Sequence, residues 1–222
     1  MKVPNNVVDS TLVIGLGRFG SAVAVTLDNL NREILAVDIS SKLVQKWSSR
    51  IPTLEADMTN MAALEQIGAA DFSSAVVGVG SSLEASVLIT ANLVDIGVSQ
   101  IWAKATSREH GRILKRIGAH HVIYPEFDAG QRTAHLVSGR MLDYIEMERN
   151  GFSIVKMRPP REFWGFTLEE AQVRRKYGVT VIGVLSVGQP FEYASASTRI
   201  HEDDIIIVGG DADLLEQFAY NS

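Results

Sequence analysis

An α/β fold with a doubly wound parallel sheet, a crossover helix and a small α+β C-terminal lobe is what the sequence predicts. Three observations predict it. Short apolar, β-rich runs alternate with segments of helical period from Thr11 to Ile123, the pattern of successive βαβ units. A glycine-rich turn, Gly15-Leu16-Gly17-Arg18-Phe19-Gly20, separates the first such run from the first helical one. The last 70 or so residues change to shorter, mixed elements.

Six strands are expected in the first part, at Thr11 to Gly15, Glu33 to Asp38, Pro52 to Ala56, Ser74 to Gly78, Gln100 to Lys104 and His120 to Tyr124. The helices between them begin near Arg18, Ser41, Asn60, Ser82, Ser107 and Pro125. Hydroxyl side chains that satisfy first-turn N–H groups mark two of these starts: Ser40 and Ser41, then Ser81 and Ser82 ahead of Leu83, Val87 and Leu88. Gly68, Gly97 and Gly118 stand where helices end. Six strands in about 115 residues fill one Rossmann-like domain, residues 9–126. Phe127 to Arg149 then reads as one long amphipathic helix, with Ala134, Val137, Met141, Leu142 and Ile145 at helical spacing and Asn150-Gly151 as its end. This is the crossover helix, residues 127–149. The C-terminal lobe, residues 150–222, holds a strand at Phe152 to Met157 and a helix at Thr167 to Lys176. Strands at Thr180 to Val187 and Asp204 to Val208 follow, then a terminal helix from Asp211 to Tyr220.

Composition bounds the function. The 222 residues are 46% hydrophobic and 21% charged, as in globular proteins, which excludes a disordered chain. A net charge of -5 offers no bulk positive field for a nucleic acid. Neither part is polarised: 14 basic against 16 acidic residues up to Asn150, and 7 against 10 after it. With no cysteine there is neither a disulfide nor a thiolate metal site. No run approaches the roughly 20 apolar residues of a spanning helix, and Met1 to Ser10 lacks the apolar core of a signal peptide. A cytoplasmic protein is expected, with a membrane protein still open as its partner.

The glycine turn is a G-x-G-x-x-G between strand and helix, with Asp38 ending the second strand 18 residues after Gly20. Gly15 makes the tight turn, Gly17 lets the backbone approach a diphosphate, and Gly20 lets the helix pack on the sheet. The helix start then turns unpaired N–H groups and its positive end to the phosphates. Phe19 lies within the same turn. Asp38 suits the two ribose hydroxyls and repels a 2′-phosphate, which favours an adenosine nucleotide or NAD over NADP. Asp57, after the third strand, suits a contact to adenine or a cap on the following helix. The Arg18 guanidinium can reach phosphate oxygens bidentately. Lys104 and Arg108 can add positive charge at the same sheet edge, although ordinary solvated charge is the better fit for Arg108. Glu126 is an acid where phosphates would repel it, which makes sense if a divalent cation or an arginine lies between, or if it serves the first turn of its helix.

Hydride-transfer chemistry finds little support. No tyrosine precedes a lysine by four residues, so the Tyr-x-x-x-Lys pair is absent. Separately, the loop carries no Gly-Lys-Ser or Gly-Lys-Thr, which excludes a P-loop. His120 and His121 are neighbours on a strand, so their side chains point to opposite faces and cannot share a metal. A nucleotide bound and not consumed fits better than an enzyme.

The run Leu12-Val13-Ile14-Gly15-Leu16-Gly17-Arg18-Phe19-Gly20, with Val37-Asp38, Ala56-Asp57, Ala103-Lys104-Ala105, Ile117-Gly118-Ala119 and Tyr124-Pro125-Glu126, resembles the RCK (KTN) domains that regulate potassium conductance. Within them it resembles the cytosolic regulatory subunits of bacterial Ktr-type potassium uptake systems, over nearly the whole chain, as a TrkA-N module followed by a TrkA-C module. The resemblance implies an octameric ring of dimers on the inner face of the cell membrane, beneath a KtrB-like potassium-translocating subunit. It further implies a switch in which ATP favours the active and ADP the inactive state. Arg18 would contact the terminal phosphate across a dimer, and Glu126 would help hold a divalent cation, Mg²⁺ or Ca²⁺, between nucleotides. Cyclic di-AMP is implied as a ligand of the C-terminal lobe, between Trp164 and Gln189, where an ordinary dimer contact is the alternative. The rival readings are an NAD-linked oxidoreductase and an NAD-sensing regulator using NAD or NADH.

Overall fold

The residues Leu12, Val13 and Ile14 are all buried, yet they point alternately to two sides of one strand, so both faces of that strand must be covered. The computed structural model, which describes residues 10–147 and 151–220, shows how. Met1 to Asp9, the expected end of the crossover helix at Glu148 to Asn150, and the last two residues lie outside the described part. The chain divides into two compact units, Met1–Glu126 and Phe127–Ser222.

The first unit carries strands β1 (Ser10–Ile14), β2 (Glu33–Asp38), β3 (Thr53–Glu55), β4 (Ser74–Val77), β5 (Ile101–Lys104) and β6 (His121–Ile123). Its helices are α1 (Arg18–Asn29), α2 (Ser41–Trp47), α3 (Met61–Gln66), α4 (Leu83–Ile96) and α5 (Arg108–Ile117). All six strands are parallel, in the order β3-β2-β1-β4-β5-β6. Val13, Ala36 and Val76 pack on one face with Leu16 and Ala24, while Leu12, Val37, Ala75 and Val77 pack on the other with Leu64, Ile89 and Leu93. That alternation is the doubly wound sheet read from the sequence. The chain winds outward from β1 to β3 and then crosses back to β4, so the connections diverge between β1 and β4 and leave a crevice at the carboxyl ends of the strands.

Helix α6 (Pro125–Val137) leads into the second unit, with β7 (Met141–Glu146), β8 (Phe152–Met157), α7 (Leu168–Ala171), α8 (Val173–Tyr177), β9 (Thr180–Leu185), β10 (Glu192–Tyr193), β11 (Ile205–Asp211) and α9 (Ala212–Tyr220). The sheet is antiparallel, in the order β10-β9-β11-β8-β7. Its inner face buries Val155, Met157, Val184, Ile206 and Val208 against Leu215 and Phe218 of α9.

The second unit corrects three expectations. The long helix from Phe127 to Arg149 ends at Val137. Gly139, at φ +73°, donates its N–H to Leu136 and turns the chain, and Met141 to Glu146 pairs with β8 instead. Met141, Leu142 and Ile145 fit a helical spacing, but pairing with a distant strand outweighs it. The helix from Thr167 to Lys176 is broken at Gln172, which takes a left-handed conformation between α7 and α8. Asp211 ends β11 rather than opening α9, and its side chain accepts from the N–H of Asp213. The short strand β10 has no counterpart in the sequence reading.

Candidate functional site

At the carboxyl ends of β1, β2, β4 and β5 a cleft of about 740 Å³ opens, within the range of about 300–1,000 Å³ usual for small-molecule and cofactor sites. Gly15, Gly17, Arg18 and Phe19 line one side, Asp38 and Asp57 the end beyond β2, and Lys104 and Glu126 the end beyond β5. Two residues expected at this sheet edge do not line the cleft: Arg108, which opens α5, and Gly20, whose place is underneath the turn. A Cβ there would overlap the carbonyl oxygen of Gly15 and lie 3.0 Å from its carbon, so only glycine lets α1 start this close to β1. Gly15 itself has φ +96°. A Cβ on Gly17, by contrast, meets nothing within 4 Å: its side of the turn is open to the cleft.

Gly17 caps α1 without any side-chain hydrogen bond, and the first intrahelical bond runs from the N–H of Ser21 to the Gly17 carbonyl. The N–H groups of Arg18, Phe19 and Gly20 therefore have no acceptor within the helix. Together with the helix dipole they favour an anion above Gly17.

Asp38 holds the turn in shape. Its Oδ2 accepts from the N–H of Leu16 at 2.6 Å and its Oδ1 from the N–H of Ser40 at 2.8 Å. Each oxygen keeps a further lone pair for a hydroxyl, so the shaping of the turn and the expected ribose contact fit one side chain. Asp57 is not the cap of α3: Asn60 is, its side chain accepting from the N–H of Ala62 at 3.0 Å. Asp57 instead accepts from the N–H and hydroxyl of Thr59, both at Oδ1.

At the other end Lys104 Nζ donates to Glu126 Oε1 at 2.6 Å, and it stands 5.9 Å from the centre of the Phe19 ring. The lysine side chain is 12% exposed and the glutamate 61%. The hydrogen bond from Lys104, with a smaller contribution from the charge of Arg18, holds the Glu126 carboxyl below its ordinary range. A lysine thus already balances the acid at this end of the cleft. Among the described residues no three His, Asp or Glu side chains gather where a metal ion could be held.

Several lining residues escaped the sequence reading. Val79 and Gly80 follow β4, and a Cβ on Gly80 would sit 3.4 Å from Lys104 Nζ and 3.3 Å from Thr106 Cγ2. Gly78-Val79-Gly80 at a strand's carboxyl end was the signal that could have found them. His120 lies just before β6, its Nδ1 accepting from the N–H of Ile101, while His121 opens β6 and stacks on Trp102.

Comparison with known proteins adds the relationship. Residues 11–125 match the TrkA-N domain. The chain is 32% identical to Ktr system potassium uptake protein C of Bacillus subtilis (strain 168), over 93% of this chain and 94% of that one. It is 31% identical to Ktr system potassium uptake protein A of the same strain, over 93% of each. Among solved structures it superposes on the RCK domain of GsuK with a TM-score of 0.67 at 18% identity, covering 99% of this chain and 48% of that one. The GsuK channel bound to NAD gives 0.67 at 17%, covering 99% and 40%. GsuK bound to ADP gives 0.53 at 21%, covering 60% and 34%. The chain spans less than half the length of these GsuK chains, and the likeness to them is one of fold. No described helix is long and apolar enough to cross a membrane. With the domain match spanning more than half of the residues and the curated relatives nearly all, the chain belongs to the TrkA-N domain family and to that of the Ktr system potassium uptake proteins.

Proposed function

We propose that the chain is a nucleotide-sensing regulatory subunit that gates a membrane potassium transporter, with ATP favouring the active state and ADP the inactive one. The observation that carries this reading is the phosphate end of the cleft. Three N–H groups open α1, the space above Gly17 is clear, and Arg18 and Lys104 stand at hand. The kinship with potassium uptake proteins supports a regulatory role beside a transporter, and GsuK bound to NAD or ADP supports an adenine nucleotide as the ligand.

In this reading the start of α1 holds the diphosphate, Asp38 takes the ribose hydroxyls and Asp57 faces the adenine. The exposed Arg18 and the largely buried Lys104 bring two positive charges against one negative charge from Glu126, which suits a polyphosphate. A third phosphate adds negative charge that Arg18 of a neighbouring chain pairs with, so ATP and ADP differ in which arrangement of the assembly they favour. A nucleotide that bound both arrangements equally would shift neither. Glu126 is the lone carboxylate there, too few donors for one chain to hold a divalent ion, and no step is routed through one. A cation arriving with the nucleotide would find Glu126 as its protein ligand. The assembly in this reading is an octameric ring of dimers on the cytoplasmic face of the membrane, under a KtrB-like subunit. The stretch from Trp164 to Gln189 serves as a dimer contact, or as a pocket for cyclic di-AMP.

Calorimetry of ATP and ADP with the wild-type protein and Arg18→Ala tests the reading. A preference between the two nucleotides that narrows in the variant is expected; one that stays unchanged removes Arg18 from the mechanism. Turnover of NAD with an alcohol or hydroxy acid, seen as nicotinamide absorbance, would instead favour an oxidoreductase.

A further inference from the structure

His110 lies in the first turn of α5, 1% exposed. Its Nδ1 is 3.3 Å from the N–H of Thr106 and 3.2 Å from the Thr106 hydroxyl. A backbone N–H can only donate, so Nδ1 is the acceptor and the neutral ring carries its proton on Nε2. Nε2 is buried without a hydrogen-bond partner. A buried donor left unmade costs stability that an apolar side chain of similar size would not. Filling space therefore does not account for a histidine here, whereas the contact to Thr106 does.

Thr106 is part of the cleft wall, two residues after Lys104. The next residue of α5 braces a second turn: a Cβ on Gly111 would overlap the Tyr124 hydroxyl, and Tyr124 leads through Pro125 to Glu126. The first turn of α5 thus touches both chain segments that bring Lys104 and Glu126 together.

We propose that His110 is a positioning residue for the phosphate end of the cleft, its neutral imidazole holding the turn after β5, and with it Thr106 and Lys104, in the geometry that receives a nucleotide's phosphates. The proposal rests on the nucleotide reading above.

The test compares ADP binding by calorimetry, and melting without nucleotide, for the full chain and for His110→Asn and His110→Leu. Asparagine keeps an acceptor oxygen where Nδ1 stands and leucine does not. His110→Leu is expected to bind ADP about tenfold more weakly, the worth of about one net hydrogen bond, and His110→Asn to stay within about twofold of wild type. If both variants melt lower but bind ADP alike, or if asparagine fails as badly as leucine, the positioning role is overturned. A wild-type protein that binds no adenine nucleotide overturns the underlying reading as well, which separates the two failures. Should the variants not fold, ¹⁵N shifts of the imidazole in the wild-type protein decide: a neutral ring protonated on Nε2 is expected, and one protonated on Nδ1 overturns the assignment.

Discussion

Replacing Gly17 and replacing Gly20 by alanine have opposite consequences, although the two lie three residues apart in one turn. At Gly20 the new Cβ would overlap the Gly15 carbonyl oxygen and stand 3.0 Å from its carbon. The atoms it meets are backbone and the Cβ position is itself fixed by the helix, so the turn or the start of α1 has to move. Overpacking of this kind costs up to about 3 kcal/mol, a fall of about 6–12 °C in melting temperature for a chain of this size. At Gly17 the backbone sits at φ -63°, which alanine adopts freely, and nothing stands within 4 Å of the new methyl. Restricting the unfolded chain stabilises by about 0.4–1 kcal/mol, and alanine is a poorer helix cap than glycine by a similar amount, so the melting temperature stays within about 4 °C. The methyl nevertheless projects into the space a diphosphate would take. Holding the diphosphate away from two N–H donors forfeits about 3 kcal/mol, which is more than about 100-fold in the dissociation constant. Thermal melts without nucleotide and calorimetry with ADP read the two effects separately. A Gly17→Ala protein that binds ADP like wild type, or that melts as low as Gly20→Ala, would refute the reasoning.

Further expectations concern charge and pH. Glu126→Gln removes the counter-charge of Lys104 and should tighten ADP and ATP about fivefold in the absence of divalent ions, as an exposed unit charge is worth about 1 kcal/mol. Lys104→Met should weaken both, and equal affinities in all three proteins would contradict the charge balance described for the cleft. Burial holds the His110 imidazole below its ordinary pKa of 6.5, so the unfolded chain takes up that proton first as the pH falls. Its contribution to stability is complete above about pH 6.5 and is lost toward the lower folded-state value, at up to about 1.4 kcal/mol per pH unit. Urea midpoints between pH 8 and 5 should therefore fall more steeply for wild type than for His110→Asn; parallel curves would mean the ring is not held neutral.

Most of the first unit was legible because its determinants are local. Leu12, Val13 and Ile14 form a continuous apolar run, which a strand buried on both faces demands, and serine or glycine punctuates several helices. The glycine turn and Asp38 were legible for the same reason, since turn, helix start and acid each leave a mark within one βαβ unit. What could not be read depends on partners far along the chain. Met141 to Glu146 has a helix-compatible spacing, and only its pairing with Phe152 to Met157 makes it a strand. The break at Gln172 carries no glycine or proline to announce it. The Lys104 to Glu126 pair joins residues 22 positions apart, so the sequence offered a cation or an arginine for a carboxylate that a lysine balances. His110 looks like any histidine of an amphipathic helix until its ring is found against Thr106.

Native mass spectrometry of the full chain, titrated with ATP and with ADP, tests the central claim most directly. The account predicts a multi-subunit species that carries an adenine nucleotide on its chains and prefers one of the two. A bare monomer that takes up neither would contradict it.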